Sequence, residues 1–352
     1  MDRSEKKIKE IIENSLPVVV WGFGGMISFI VNNLRQYGVN ISFIVDNDSK
    51  RWGSFFEGIE IISFEKLKSV FNDCNILIGV CTKTFVSDIK MQIQEDGQFK
   101  KVFFFEMFYP FGRFAKNVVD DNKEKINLVR SWLSDQKSQL LYEKKVQYIL
   151  TKESGMFDGM FDPEYEQYFD KGLIDLNHEK GLFIDGGAYH GENTQALFER
   201  FPGTELQSVC IDPDETNVKM IKKRFENEDR VRVRCAALSE KSGVVKFEYS
   251  GSRGGCINST NGVDLDSIGI DDEFSKQKVR FIKLDIEGAE MSCLCGAKDV
   301  IRKEKPILAI CIYHSIEDHF DIPIFIKNLR PDYKLYVRQY HYTGIETVLY
   351  AI

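Results

Sequence analysis

The sequence lacks an apolar run long enough to cross a bilayer. Its longest mostly apolar stretch, Pro17 to Val31, is broken by Gly22, Gly24 and Gly25 and falls short of the roughly 18 residues that a spanning helix needs. The start, MDRSEKKIKEIIEN, has no apolar export core, so the expected location is the cytoplasm. Positive charge is not in excess either. With 47 Lys and Arg against 54 Asp and Glu, the net charge is −7, and a nucleic-acid partner, which needs a basic footprint, is not expected. The local cluster Lys222, Lys223 and Arg224 then reads as a solvated helix face. The eight cysteines form no recognisable framework. Cys210, Cys235 and Cys311 sit in apolar segments as buried free thiols would, and the Cys293/Cys295 pair has no second Cys or His pair at zinc spacing. No fixed-period repeat or low-complexity tract is present, so the 352 residues are expected to form about two ordinary globular domains.

What is present is alternation of strands and helices. Residues 1–112 read as a smaller Rossmann-like α/β domain. The strand PVVVWG leads through Gly22, Gly24 and Gly25 into the helix MISFIVNNLRQYG, and the next strand, ISFIVDND, is tipped by Asp46. An acid there can receive ribose hydroxyls, but Ile27 replaces the third glycine of a dinucleotide turn. Strands NILIGVC and KVFFFEMF follow. Residues 113–180 read as a helical connector, in which Tyr165, Tyr168 and Phe169 are expected as interdomain core or, less simply, as a lid. From 181 to 352 the alternation resumes and predicts a parallel sheet with ligands at the strands' carboxyl ends. Those ends carry Asp185, Asp212, Asp285, Glu287 and His314. The closing KLYVRQY, HYTG and ETVLYAI predict an antiparallel hairpin, which a dinucleotide dehydrogenase sheet would not have.

The segments FIDGGAYHGENT, CIDPDETN, CAALSEKSGVVKF, FIKLDIEGAEMSCLCGAKDVI, KPILAICIYHSIEDHFDIP and VRQYHYTGIETVLYA, in this order, resemble the FkbM family of S-adenosylmethionine-dependent methyltransferases over residues 160–352. The resemblance implies a class I methyltransferase sheet, S-adenosylmethionine as cofactor, and O-methylation of a saccharide or nucleotide-linked sugar in bacterial glycan biosynthesis. WGFGG and FIVDNDSKRWG separately resemble the N-terminal domain of sugar-nucleotide acetyltransferases, which implies a nucleotide-sugar as a ligand open to residues 1–112.

In that frame Gly187 and Gly191 leave room for the methionine and ribose portions, and Asp185 accepts from an ammonium or a water. Asp212 takes the ribose hydroxyls, as a shorter carboxylate than the family's usual Glu, and Ala236 with Cys235 forms a flat slot for adenine. A sugar hydroxyl is weakly acidic, so a base helps, and His314 is the leading candidate. Asp285 and Glu287 have several open roles: orienting that imidazole, gripping the acceptor, holding a divalent ion with His314, or capping the following helix. A divalent metal is therefore possible but not predicted. His190 is a secondary contact. The competing expectation is an NAD-linked sugar oxidoreductase built on Gly22 to Asp46.

Overall fold

A computed structural model describes residues 3–23, 27–80, 83–104, 113–151, 155–249, 255–257, 262–342 and 344–352. The chain forms two compact units, one mainly Met1–Asp120, the other Asp121–Val146, Gly155–Tyr249 and Arg253–Ile352. Each has its own sheet. Among the described residues no helix is long and apolar enough to cross a membrane.

The first unit carries β1 (Val18–Trp21), β2 (Ile41–Val45), β3 (Phe55–Phe56), β4 (Ile59–Ile62), β5 (Asn75–Ile78) and β6 (Lys101–Phe104). They lie in the order β3-β4-β2-β1-β5-β6, parallel except for β3, which runs antiparallel to β4. β1 is buried throughout because its alternate residues serve two cores: Val18 and Val20 pack on one face, Val19 and Trp21 on the other. The helix Ile27–Gln36 covers the first of these with Ile27, Ile30, Val31 and Leu34, the spacing of one helical stripe. Of the glycine turn, Gly24 and Gly25 lie outside the described residues. Gly22 has φ +106°, and a Cβ there would come within 2.4 Å of Val80 Cγ1, so close packing alone demands a glycine.

The second unit contains β7 (Lys180–Gly186), β8 (Glu205–Asp212), β9 (Val231–Cys235), β10 (Ala237–Leu238), β11 (Gly243–Tyr249), β12 (Gly255–Ile257), β13 (Val263–Ile268), β14 (Val279–Leu284), β15 (Ile307–Cys311), β16 (Leu335–Gln339) and β17 (Thr347–Ala351). The main sheet runs β16-β17-β15-β14-β7-β8-β9, and a smaller one runs β10-β13-β11-β12. In the main sheet five strands are parallel, while β17 pairs antiparallel with both β15 and β16. The predicted hairpin is therefore present, with Leu335 opposite Ala351 and Gln339 opposite Thr347. Central strands read as continuous apolar runs because both faces are covered. Phe183 and Phe281 stack at 5.1 Å, and Phe169 meets both edge-on. Burying each such ring is worth about 1.5–3 kcal/mol. Of the three aromatics grouped in sequence, Phe169 thus belongs to this unit's core, Tyr165 is exposed, and Tyr168 is buried. Arg338 ties β16 to Asp135, Ser138 and Asp170.

Candidate active site

Carboxyl ends of the adjacent strands β9, β8, β7, β14 and β15 present Cys235, Asp212, Asp185, Asp285 and, three residues beyond β15, His314. Parallel pairing puts these ends on one sheet edge. The acids nevertheless do different things. Asp185 is fully buried: its Oδ2 accepts from Thr194 Oγ1 at 3.0 Å, and its Oδ1 lies 3.4 Å from Lys283 Nζ. That ammonium also donates to the carbonyls of Gly186 (2.9 Å) and Gly187 (2.7 Å). Burial alone would lower the Lys283 pKa, but Asp185 and Asp285 outweigh it and hold the lysine above its ordinary value.

Gly187 has φ +69°, and a Cβ there would sit 1.8 Å from the Asp285 carbonyl oxygen. The glycine thus lets the ends of β7 and β14 close on each other. Gly191, at φ +83°, precedes the helix Glu192–Arg200, where a Cβ would meet Phe225 at 2.8 Å. Asp212 accepts at Oδ2 from Tyr189 N (2.8 Å) and at Oδ1 from Asp214 N and Asn217 Nδ2 (both 3.0 Å). Burial pushes its pKa up although these donors resist. Of four lone-pair positions, one on Oδ2 is not taken by these bonds. Ala236 is buried and donates its N–H to the Asp212 carbonyl at 3.2 Å. His190 stacks on Tyr189 at 3.6 Å.

On the other side of Lys283 lies a second group of acids. Asp285 accepts from the Tyr168 hydroxyl at 2.8 Å and from the Tyr313 hydroxyl at 3.2 Å. His314, whose side chain is 7% exposed, has Nδ1 3.0 Å from Glu290 Oε1 and Nε2 3.6 Å from Asp285 and 3.7 Å from Glu287. Glu290 is therefore the carboxylate at Nδ1, while Asp285 and Glu287 lie by Nε2, and both nitrogens are buried. Burial pushes the imidazole's pKa down, but Glu290, Asp285 and Glu287 prevail and raise it to about 10. His314 is an imidazolium at neutral pH.

The helix-cap reading of Asp285 and Glu287 does not describe what is seen. The helix begins at Glu290, Ala289 precedes it without a side-chain cap, and Glu290 reaches back to Ile286 N (2.8 Å) and Gly288 N (3.0 Å). Asp285, Glu290 and His314 each bring a potential ligand atom within 4.8 Å of the others. Glu290 is committed to those amides and to His314, so we assign no metal ligand here.

Glu346, just before β17, completes the group. Its Oε2 accepts from Gln167 Nε2 at 2.6 Å and its Oε1 lies 3.4 Å from the Tyr313 hydroxyl. Burial, then repulsion from Asp285, raises its pKa to about 7. Burial pushes Asp285 upward too, but Lys283 and His314 hold it below the usual carboxylate range. Four non-glycine residues of this edge have left-handed backbone: Tyr168 (φ 66°), Tyr189 (49°), Glu287 (56°) and Glu346 (59°). Such strain concentrates where surrounding structure holds functional groups in place.

The first unit offers a contrast. Asp46 accepts from Phe23 N (2.7 Å) and Arg51 (3.3 Å) at Oδ2 and from Asp48 N (2.8 Å) at Oδ1, so its carboxylate braces its own loop. Asp212 accepts as many donors; what sets Asp46 apart is Arg51, a cation already paired with its carboxylate.

Comparison with known proteins places this geometry. The family model described as methyltransferase FkbM domain matches residues 185–342, which span every acid of this edge except Glu346. The second unit carries an FkbM methyltransferase domain. That domain contains every strand end of the edge just described, and its family is one of S-adenosylmethionine-dependent methyltransferases. Residues 14–103 match the family model C2185-like, N-terminal, which does not support the resemblance to sugar-nucleotide acetyltransferases. A crystal structure of methyltransferase FkbM from Methylobacillus flagellatus KT, 22% identical, aligns over 98% of this chain and 93% of that one with a TM-score of 0.66. Fibrillarin from Aeropyrum pernix, solved with natively bound S-adenosyl-L-methionine, aligns over 54% of this chain and 76% of its own at 10% identity and a TM-score of 0.33, too low to argue from. No curated protein matches the sequence.

Proposed function

We propose that the FkbM domain methylates a hydroxyl of a saccharide or nucleotide-linked sugar, with the first unit holding part of that substrate. A nucleotide-sugar suits such a unit by the resemblance of its WGFGG and FIVDNDSKRWG segments to sugar-nucleotide acetyltransferases.

The residues present fit the cofactor. Asp212 keeps an uncommitted lone pair for a ribose hydroxyl, and Ala236, a small side chain, follows β9 at the place expected for adenine. Tyr189, tied to Asp212 through its N–H, shapes the turn between them. When bound, S-adenosylmethionine supplies a methyl group on a sulfonium, open to in-line attack. The protein's part is to position the acceptor and remove its proton. His314, as an imidazolium braced by Glu290, donates from Nε2 to the acceptor oxygen. The base expected of this histidine passes to a carboxylate of the cluster, since a protonated imidazole has no lone pair to offer. Asp285, 26% exposed at its side chain, stands beside it.

One observation carries this reading: a strained cluster of acids and a histidine borders the same strand edge as Asp212. Calorimetric titration with S-adenosylmethionine tests it, followed by mass spectrometry of candidate sugars incubated with enzyme and cofactor. Asp212→Ala is expected to weaken cofactor binding at least tenfold, and unchanged affinity would remove Asp212 from the site. A mass gain of one methyl on nitrogen, with none on oxygen, would overturn the hydroxyl assignment.

A further inference from the structure

Glu346 lies 61 positions beyond Asp285 in the sequence, yet an oxygen of each lies within 4.8 Å of the other and of the Cys311 thiol. Between them stands the Tyr313 hydroxyl, 3.2 Å from Asp285 Oδ1 and 3.4 Å from Glu346 Oε1. A phenol has one proton to give, so it can satisfy only one of two charged neighbours at a time. Their other oxygens are held separately, Asp285 Oδ2 by Tyr168 and Glu346 Oε2 by Gln167. Two carboxyl groups this close in a largely buried setting do not both ionise readily; they retain one proton between them.

We propose that Asp285 and Glu346 work as a single proton-sharing carboxyl pair, bridged by Tyr313, which releases its proton when the cationic cofactor binds and then takes the proton of the acceptor hydroxyl. This rests on the methyltransferase reading above. At rest the pair carries one proton and a charge of minus one. A sulfonium entering the site favours full ionisation, and the proton leaves to solvent. During transfer the acceptor oxygen forms its bond to the methyl carbon, and the electron pair of the breaking carbon–sulfur bond stays on sulfur. The hydroxyl proton moves to the pair, which regains its resting charge as neutral S-adenosylhomocysteine forms. One proton is released per turnover, as the reaction requires.

Other titratable groups face the pair. Lys283 and His314 attract negative charge to Asp285, and Glu287 repels it from Glu346. Tyr168 and Cys311 stay protonated, because burial drives both far above their ordinary values. Asp318, raised by burial to about 7, stands beyond His314 and is the group most easily confused with the pair.

The test is titration calorimetry of the full chain with S-adenosylmethionine and with S-adenosylhomocysteine, in two buffers of different ionisation enthalpy. At pH 6.5 the sulfonium ligand is expected to release most of one proton and the neutral sulfide almost none. Affinity for the former should rise by up to tenfold per pH unit between pH 5 and 7, and affinity for the latter should stay flat. Glu346→Gln should bind S-adenosylmethionine without proton release, whereas His314→Gln and Asp318→Asn should retain it. Equal release with both ligands overturns the pair, as does release that survives Glu346→Gln or vanishes in either other variant. If neither ligand binds, the function reading falls and takes the pair with it; binding without differential release defeats the pair alone.

Discussion

Replacing His314 with leucine isolates the Glu290–His314 ion pair, and the pH dependence of the loss is its signature. The imidazole rises from an ordinary 6.5 to about 10 in the folded protein, so the folded state binds one more proton than the unfolded state between those values. Stability from this group is fully present below pH 6.5 and is lost as pH rises through about 10. The slope within the window is about 1.4 kcal/mol per pH unit. At 7% side-chain exposure the pair is little screened by solvent. At pH 6 the substitution also leaves Glu290 buried beside an apolar group, so the total loss should be roughly 3–5 kcal/mol. Amide hydrogen exchange in β14 and β15 reads this unit without interference from the other. Wild type and variant compared at matched pH should converge by about 2.7 kcal/mol between pH 7 and 9. A difference that stays constant across that interval refutes the ion pair and the imidazolium assignment together.

Two further substitutions probe the junction of β7 and β14. Gly187→Ala would push a Cβ into the Asp285 carbonyl and hold a side chain at φ +69°, so a loss of at least about 2 kcal/mol is expected, and an unshifted thermal unfolding curve would show that the two strand ends need not meet. Lys283→Met removes the cation between Asp185 and Asp285; about 3–5 kcal/mol should be lost at pH 7, with partial recovery at lower pH as Asp285, no longer held down by Lys283, protonates. A variant as stable as wild type at neutral pH would mean that Lys283 balances neither acid.

Much of the edge was legible because strand register dictates it. LFIDGG and VRFIKLDI are apolar runs tipped by acids, and parallel pairing must bring such tips together. Lys283 carries a signal of its own: a lysine in an inward run such as VRFIKLD is buried and calls for a carboxylate. Glu290 carried a weaker signal, an acid at the first turn of a helix close behind Asp285. Tyr168 lies in a segment with few strand signals, and Glu346 lies in a turn 61 positions beyond Asp285. Only tertiary folding joins those two to the site, and no local pattern announces them. The charge of His314 was hidden for the same reason, since three carboxylates from a different strand's loop set it. Gly187 was read as space for a ligand, whereas the backbone of Asp285 already fills the volume a side chain would need.

β17 lies inside the sheet, between β15 and β16, although it follows both in the chain. Until residues 347–351 emerge, β15 has a bare hydrogen-bonding edge, and such edges invite pairing with other chains. Glu346 arrives with the same strand. Assembly of this domain is therefore gated by the β16–β17 hairpin: a nascent chain halted before it would expose an adhesive edge and lack half of the carboxyl pair, so termination there should yield aggregates rather than a weakened catalyst.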